Sequence, residues 1–395
     1  MRYRFADVTL DLARHELRRD GAPVHVEPQV FALLALLARR AGEVVSRDAL
    51  IAEVWKGQIV SDATVAARIS AARAAVGDTG RDQAIIRTVP RVGVQLVAEI
   101  LPEDGPPPGP ESPDNAMPPL DVRMATSPDG AGLAWSALGQ GPPLLRAGHW
   151  MTHQEMDLTS PVWRPWIDRL ARGRRLVRYD PRGTGMSERG CPDVSFDKLV
   201  EDLGAVADAA GLERFSIFAA SQSASVACAY AARHPERIDR LILYGAFAQG
   251  SSVRDGEVGA AMTRALSEMI LKGWGKPQVG AMRCFSSLFL PQASDAQLQS
   301  FIDLQVASAS PEWAATLREV CSNVDVTGLL PQVRAPVLVC HALHDSLQPF
   351  SQAQLFARLL PDASLLSIDS GNHILVPDEP GFTRLMDAVD AFLAR

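Results

Sequence analysis

Residues 218–245 read FAASQSASVACAYAARHPERIDRLILYG, and this run decides the architecture of most of the chain. Its first residues complete an apolar segment, Phe215 to Ala219, of strand length. Small residues then surround Ser221, with Ala219 two before it and Ser223 two after. From Ala224 to Arg233 the pattern is helical, and it ends at His234-Pro235. A strand that bends sharply into a helix presents the residue at the bend to solvent, and only small neighbours two positions away allow so tight a backbone. Ser223 is a rival for that place, since Ser221 and Ser225 flank it at the same distances.

Working outward, further strand-like segments alternate with helical ones: Leu144 to Arg146, Arg175 to Tyr179, Leu241 to Tyr244, Val337 to Cys340 and Ser364 to Ile368. That alternation predicts an α/β domain with a mostly parallel, doubly wound sheet covered by helices on both faces. Ligands of such sheets sit at the carboxyl ends of the strands, so the residues just after each strand are the candidates for chemistry.

The whole run 218–245 resembles, without a gap, the α/β-hydrolase stretch of G-x-S-Q-G-G type followed by YAARHPERV, and that register puts Ser221 in the nucleophile place. The resemblance spans about residues 121–395. Chain order in this family is serine, acid, histidine. H341-A-L-H-D345-S-L-Q-P349 matches its G-x-x-D-x-x-x-P pattern with Ala342 in the glycine place, which makes Asp345 the acid. S370-G-N-H373 matches its G-x-H turn and makes His373 the catalytic histidine. The position after Leu241 to Tyr244 offers only Gly245-Ala246-Phe247 and no carboxylate. A serine hydroxyl becomes nucleophilic when an imidazole takes its proton and a carboxylate orients the imidazole. Two oxyanion donors are implied, the backbone amides of Gln222 and of Trp150 in GPPLLRAGHW, where Gly148-His149 replaces the usual His-Gly. In YDPRGTGMS, another family signature, Asp180 and Arg182 read as loop-bracing residues, with substrate contact as the alternative. His149, His153, His341 and His344 read as pocket or packing residues.

Between about 250 and 332 lies a helical insertion rich in Met262, Met269, Trp274, Met282, Phe285, Phe289, Phe301 and Trp313, in the place of the family's lid. These side chains either enclose an apolar ligand pocket or form the lid's own core. The elbow lacks glycine at Ala219, Ser223 and Ala224. A displaced oxyanion donor costs about 2.7 to 4 kcal/mol of barrier, so both an active serine hydrolase and a non-catalytic ligand sensor remain open.

Upstream, residues 101–120 (LPEDGPPPGPESPDNAMPPL) contain eight prolines and almost nothing to bury, and read as a semi-stiff linker between a domain at 1–100 and one at 121–395. Before it, Val8, Leu10 and Leu12 alternate like a strand. Pro28 opens a helix with the apolar stripe Val30, Phe31, Leu33, Leu34, Leu37, stopping at Gly42. Ser46 caps a second helix with Leu50, Ile51, Val54 and Trp55 inward. A third opens at Ser61 and Asp62, with Val65, Ile69, Ala72 and Val76 inward and Thr64, Arg68, Ser70 and Arg73 outward. A hairpin follows, Ile85 to Val89 and Val94 to Val97, across Pro90-Arg91-Val92-Gly93.

VSDATVAARISAARAAVGD with the following IIRTVPRVG resembles the winged helix-turn-helix effector domain of OmpR/PhoB-type and CadC-type regulators, over about residues 3–99. That resemblance implies DNA as partner, with the third helix in the major groove and the wing at the minor groove. The implied contacts are Thr64, Arg68, Ser70 and Arg73 from the helix and Arg87, Thr88 and Arg91 from the wing region. The usual Gly-aromatic-Arg after the wing turn is Gly93-Val94-Gln95, which removes one cation and implies a shallower salt dependence. Occupation of repeated half-sites implies a homodimer.

Composition excludes some classes. The net charge of −7 hides +2 over residues 1–100 and −9 over the rest, too weak a balance to demand nucleic acid by itself. No basic-then-apolar start and no run of about 18 apolar residues occurs, so a cytoplasmic protein without membrane contact is expected. Five scattered cysteines without a C-x-x-C pair predict reduced, buried thiols and no metal site. No cofactor is expected. The functional expectation is a DNA-binding regulator whose hydrolase-fold domain binds and cleaves a small apolar ester, lactone or acyl compound. The alternatives are a pure sensor, or a plain hydrolase with a non-functional winged helix.

Overall fold

The computed structural model describes residues 2–11, 16–19, 22–24, 26–55, 60, 62–89, 92–98, 100–101, 120–191, 193–276 and 280–395. Leu12, Ser61, Pro90, Arg91 and the linker segment 102–119 lie outside the described residues. The chain divides into two units, Met1–Met117 and Pro118–Arg395.

In the first unit, short strands close into a sheet in the order Ala22–Val24, Glu16–Arg19, Val8–Asp11, Arg2–Phe5, Ile100–Leu101, every pair antiparallel. Three helices follow, Pro28–Arg39, Arg47–Val54 and Asp62–Ala75. Pro28 sits in a first turn, where its missing N–H would have no intrahelical partner anyway. The helix it opens buries the predicted stripe but ends at Arg39, before Gly42, whose φ of 83° turns the chain. The Ser46 side chain accepts from the Ala49 amide at 3.3 Å and caps the second helix. The hairpin Ile86–Val89 and Gly93–Leu96 adds Val44–Ser46 to make a three-stranded sheet. A Cβ on Gly93 would lie 2.0 Å from the Val45 carbonyl oxygen, so this crossing requires glycine. Asp78 anchors the hairpin's base by accepting from the amides of Thr79, Ala84, Ile85 and Ile86 at 2.8–3.0 Å.

In the second unit, an eight-stranded sheet runs Ala363–Ile368, Val337–Ala342, Ile238–Tyr244, Phe215–Ala220, Pro143–Arg146, Arg175–Tyr179, Gly132–Leu138, Arg123–Thr126. The first six are parallel and were legible as apolar runs. The last two, antiparallel, were not foreseen, because GLAWSAL lacks a clean alternation. The third strand starts at Ile238 rather than Leu241: backbone pairing with Phe215 carries it past the polar Asp239 and Arg240. Phe215–Ala220 and Val337–Ala342 are buried along their whole length, as central parallel strands are. Helices Gly256–Gly273, Ala281–Ser287, Asp295–Ser308 and Pro311–Ser322 lie in chain between the strands at 238–244 and 337–342, in the segment expected to form a lid. Ser294 and Ser310 cap two of them. Trp274, Phe285 and Phe301 are buried in this region, and Trp274 Nε1 donates to the Ala309 carbonyl at 2.9 Å.

All five cysteines are free, but burial holds only for Cys191, Cys228 and Cys340. Cys284 is exposed and Cys321 half-buried, which corrects the expectation of buried thiols: burial follows the face of the helix each sits on, and composition does not reveal that face.

Candidate functional site

Ser221 follows the last residue of its strand and precedes the helix Gln222–Arg233. Its backbone has φ 56° and ψ −128°, a conformation that a non-glycine residue adopts only where the surrounding structure imposes it. The Ser221 amide donates to the Tyr244 carbonyl of the neighbouring strand at 2.8 Å, which helps to hold the turn. Ser223, the rival, spends its hydroxyl on this turn: Oγ donates to the Ala220 carbonyl at 2.8 Å and accepts from the Ala220 amide at 3.0 Å. The residue two after the elbow is therefore a brace, and its small hydroxymethyl group fits where glycine is usual.

His373 Nε2 lies 2.9 Å from Ser221 Oγ, and His373 Nδ1 lies 2.7 Å from Asp345 Oδ2. Three residues from distant stretches of chain thus meet in one chain of hydrogen bonds. Gly245 leaves room for the ring: a Cβ there would meet His373 Cε1 at 3.0 Å. The position that offered no carboxylate is thus one that lets the imidazole approach. The other Asp345 oxygen accepts from the Leu347 and Gln348 amides at 2.8 Å each. Burial alone would raise the Asp345 carboxyl. The facing His373, with help from the Gln348 amide and His341, outweighs burial and holds it below the usual carboxylate value. His341 Nε2 stands 3.5 Å from Asp345 Oδ2 and 3.0 Å from the Gln348 carbonyl. Burial lowers its pKa against the pull of Asp345, so it packs behind the acid as a neutral ring.

Gln222 opens the elbow helix, so its amide has no partner within the helix. Trp150 is buried beside it, stacked on Phe289 and tilted against Phe285, with Nε1 donating to Gln305 Oε1 at 3.0 Å. Neither backbone amide donates a hydrogen bond among the described residues. Ser221, Gln222 and Trp150 line one cavity. His149 stacks on Trp163 at 4.2 Å and lies 2.5 Å from the Arg146 guanidinium. Burial, then the Arg146 charge, keep it neutral and accepting. Below this loop, Asp180 accepts from Thr152 Oγ1, the Gln154 amide and the Met186 amide at 2.7–3.1 Å. Arg182 pairs with Asp202 and Asp129 at 2.6–2.7 Å. Both tie the loop 180–187 down, and neither lines the cavity beside Ser221.

That cavity has a volume of about 350 Å³, within the range of small-molecule sites. Of the eight side chains singled out in the sequence between about 250 and 332, only Met262 and Phe289 line it. Sequence reasoning missed two arginines on its wall, Arg254 and Arg318. Nothing in their spacing distinguishes them from surface cations on amphipathic helices.

On the winged helix, Ser70 is exposed, and Thr64 and Arg68 are half-buried. Arg68 pairs with Glu27 at 2.8 Å and Gln29 at 3.1 Å. Arg87 is exposed and donates to Gln95 Oε1 at 2.7 Å. The expected outward projection of Arg73 requires correction. Its side chain is 9% exposed, with Nε on the Ile86 carbonyl at 2.9 Å and Nη2 on Thr88 Oγ1 at 2.7 Å. Helical spacing put Arg73 beside Ser70, but the hairpin packs over the end of that face and takes up the guanidinium. Arg91 lies outside the described residues.

Fold and site together define a two-part class, a DNA-binding regulator domain of winged-helix type fused to an α/β-hydrolase-fold domain. Residues 21–96 match the family described as transcriptional regulatory protein, C terminal, and residues 152–265 match the alpha/beta hydrolase fold family. The transcriptional activator CadC of Escherichia coli is 36% identical over 88 residues, covering 22% of this chain and 17% of CadC. A pyrrolizixenacetamide deacetylase of Xenorhabdus hominickii is 25% identical, covering 61% of this chain and 88% of its own. A pimeloyl-[acyl-carrier protein] methyl ester esterase of Nitrosomonas europaea is 26% identical over 60% and 90%. Among solved structures, an esterase from Exiguobacterium antarcticum superposes with a TM-score of 0.60 at 20% identity, over 69% of this chain and 99% of that one, which is a likeness of fold. Among the described residues, no helix is long and apolar enough to cross a membrane.

Proposed function

We propose that this protein is a transcription regulator whose hydrolase-fold domain cleaves a small acyl compound, an ester or amide, and so couples DNA binding to the presence of that compound. The observation that carries the enzymatic half is the hydrogen-bonded chain from Ser221 through His373 to Asp345. Ser221 Oγ attacks the acyl carbonyl carbon while His373 Nε2 takes its proton. Asp345 fixes the imidazole with Nδ1 protonated and stabilises the imidazolium that forms. The carbonyl oxygen becomes an oxyanion, which the Gln222 and Trp150 amides would receive. Collapse breaks the bond to the leaving group, and His373 returns the proton to that group. Water, activated by His373, then adds to the acyl-serine, and its breakdown releases the carboxylic acid and restores Ser221 Oγ–H. The strained backbone of Ser221 supports a functional role for this residue, because such strain persists where the surrounding structure holds a group for use.

For the regulatory half, the third helix would enter the major groove with Thr64, Arg68 and Ser70, and Arg87 would reach phosphate from the wing. Arg68 would exchange its pairing with Glu27 for DNA. Two copies on repeated half-sites make the expected assembly. The test uses the full-length protein and a series of p-nitrophenyl esters. Wild-type turnover that Ser221→Ala abolishes, while DNA binding to the protein's own upstream region persists, supports both halves. A wild-type protein inert to every ester sinks the enzymatic half, and one with no salt-dependent DNA binding sinks the regulatory half.

A further inference from the structure

The cavity beside Ser221 is largely apolar, with Met262, Leu266, Phe289 and Leu347 on its walls, yet the half-buried Arg318 of the helix Pro311–Ser322 also lines it. A guanidinium carries five N–H donors and a permanent charge, so a fold that removes it from water ordinarily supplies a carboxylate or carbonyl partners. The arginines buried outright among the described residues follow that rule: Arg146 pairs with Asp157 at 2.9 Å, Arg182 with Asp202 at 2.6 Å, Arg73 donates to the Ile86 carbonyl, and Arg178 donates to the Gln154 carbonyl with Asp157 3.6 Å away. Arg318 does not. Among the described residues no carboxylate comes within 4.0 Å of it and no acceptor reaches it, and its Nε is wholly buried. Burial lowers its pKa. The neighbouring Cys321 thiol offers little relief, because burial pushes it up to about 12 and keeps it neutral. The acid on the same wall is already engaged: Asp255 pairs with Arg254 at 2.8 Å, and Arg254 also donates to Gln348 Oε1 at 3.0 Å.

An unpaired, partly desolvated cation in an apolar cavity is costly to the free protein and becomes favourable when a ligand brings the missing anion. Resting on the reading of Ser221 as nucleophile, we propose that the compound taken by this site carries a carboxylate apart from its scissile acyl group, and that Arg318 binds that carboxylate. The site then selects half-esters or half-amides of dicarboxylic acids over neutral acyl compounds, with the apolar walls holding the methylene stem between the two ends. A planar guanidinium suits a carboxylate because two parallel N–H donors match its two oxygens.

The test compares p-nitrophenyl half-esters of succinic, glutaric and adipic acid with the same compounds methylated at the free carboxyl. Wild type is expected to favour at least one free half-ester by about tenfold or more in kcat/KM, the size of one charge-assisted pairing. Arg318→Gln is expected to remove that preference, so that free and methylated esters turn over at equal rates, and Arg318→Lys restores part of it. Equal rates on charged and methylated esters in wild type, or an Arg318→Gln loss shared equally by both, overturns the proposal. If wild type turns over no ester, the nucleophile reading fails separately, and Arg318 is judged by tryptophan emission on titration of the full chain with the free dicarboxylates. Saturable binding that Arg318→Gln abolishes upholds the assignment, and its absence for all three acids overturns it.

Discussion

Replacing Asp345 by asparagine tests the proposed mechanism at its most geometric point. Asparagine is nearly isosteric, and its carbonyl oxygen can go on accepting from the Leu347 and Gln348 amides, which Asp345 Oδ1 now does at 2.8 Å. The amide nitrogen then replaces Oδ2 opposite His373 Nδ1, now 2.7 Å away. An NH2 group there donates, so Nδ1 must accept and the ring proton moves to Nε2, which faces Ser221 Oγ at 2.9 Å. A protonated Nε2 cannot take the serine proton. Loss of the correct tautomer in such a triad costs about 10⁴-fold in kcat, equivalent to about 5.5 kcal/mol of barrier. The expected result for Asp345→Asn on the best p-nitrophenyl ester is a fall in kcat of that order, with KM little changed and the thermal midpoint near wild type. A fall of less than about tenfold in a normally folded variant would refute the reasoning, since it would mean that the carboxylate does not set the state of His373.

Other outcomes follow from particular contacts. Arg73→Ala removes two hydrogen bonds between the third helix and the hairpin, and should destabilise the first unit by about 1.5 to 3 kcal/mol in a urea melt of the full chain. Because Arg73 touches no phosphate in this reading, the salt slope of DNA binding should not change. Arg87→Ala should do the reverse, leaving stability near wild type and reducing the slope of log K against log salt by about 0.9. Asp78 is raised by burial but lowered more by four backbone amides, so its folded pKa lies below the ordinary value. Its contribution is therefore complete above about pH 4 and lost as pH falls through the folded value, and Asp78→Asn should flatten the acid limb of the first unit's stability profile. Gly185→Ala would place a Cβ 2.2 Å from Asp180 Oδ2 at a φ of 54°. It should cost about 1 to 3 kcal/mol in the second unit's melting transition, and no change would contradict the loop's proposed rigidity.

Much of the site was legible because its signals are local. The elbow needs small residues at fixed offsets from one serine, and the acid and histidine follow strands whose apolar runs are plain in the sequence. The ambiguity between Ser221 and Ser223 was not local. It turns on which hydroxyl meets an imidazole 152 residues away, and in the fold Ser223 is instead occupied by the Ala220 backbone. Arg73 misled for a related reason: helical spacing orders residues around an axis but does not say which of them a later hairpin will cover.

Periodicity and turn chemistry, together with motifs that resemble two known families, therefore indicated two folds, the proline-rich segment between them and the three residue types that meet at Ser221. They are set by interactions a few residues apart, which the chain carries wherever it goes. The exposure of Cys284, the burial of Arg73 and the unpaired state of Arg318 were decided by tertiary structure alone. Each depends on which groups from distant segments come within a few ångströms, and a cation's partner, or lack of one, is a property of that assembled neighbourhood rather than of the residues beside it in sequence.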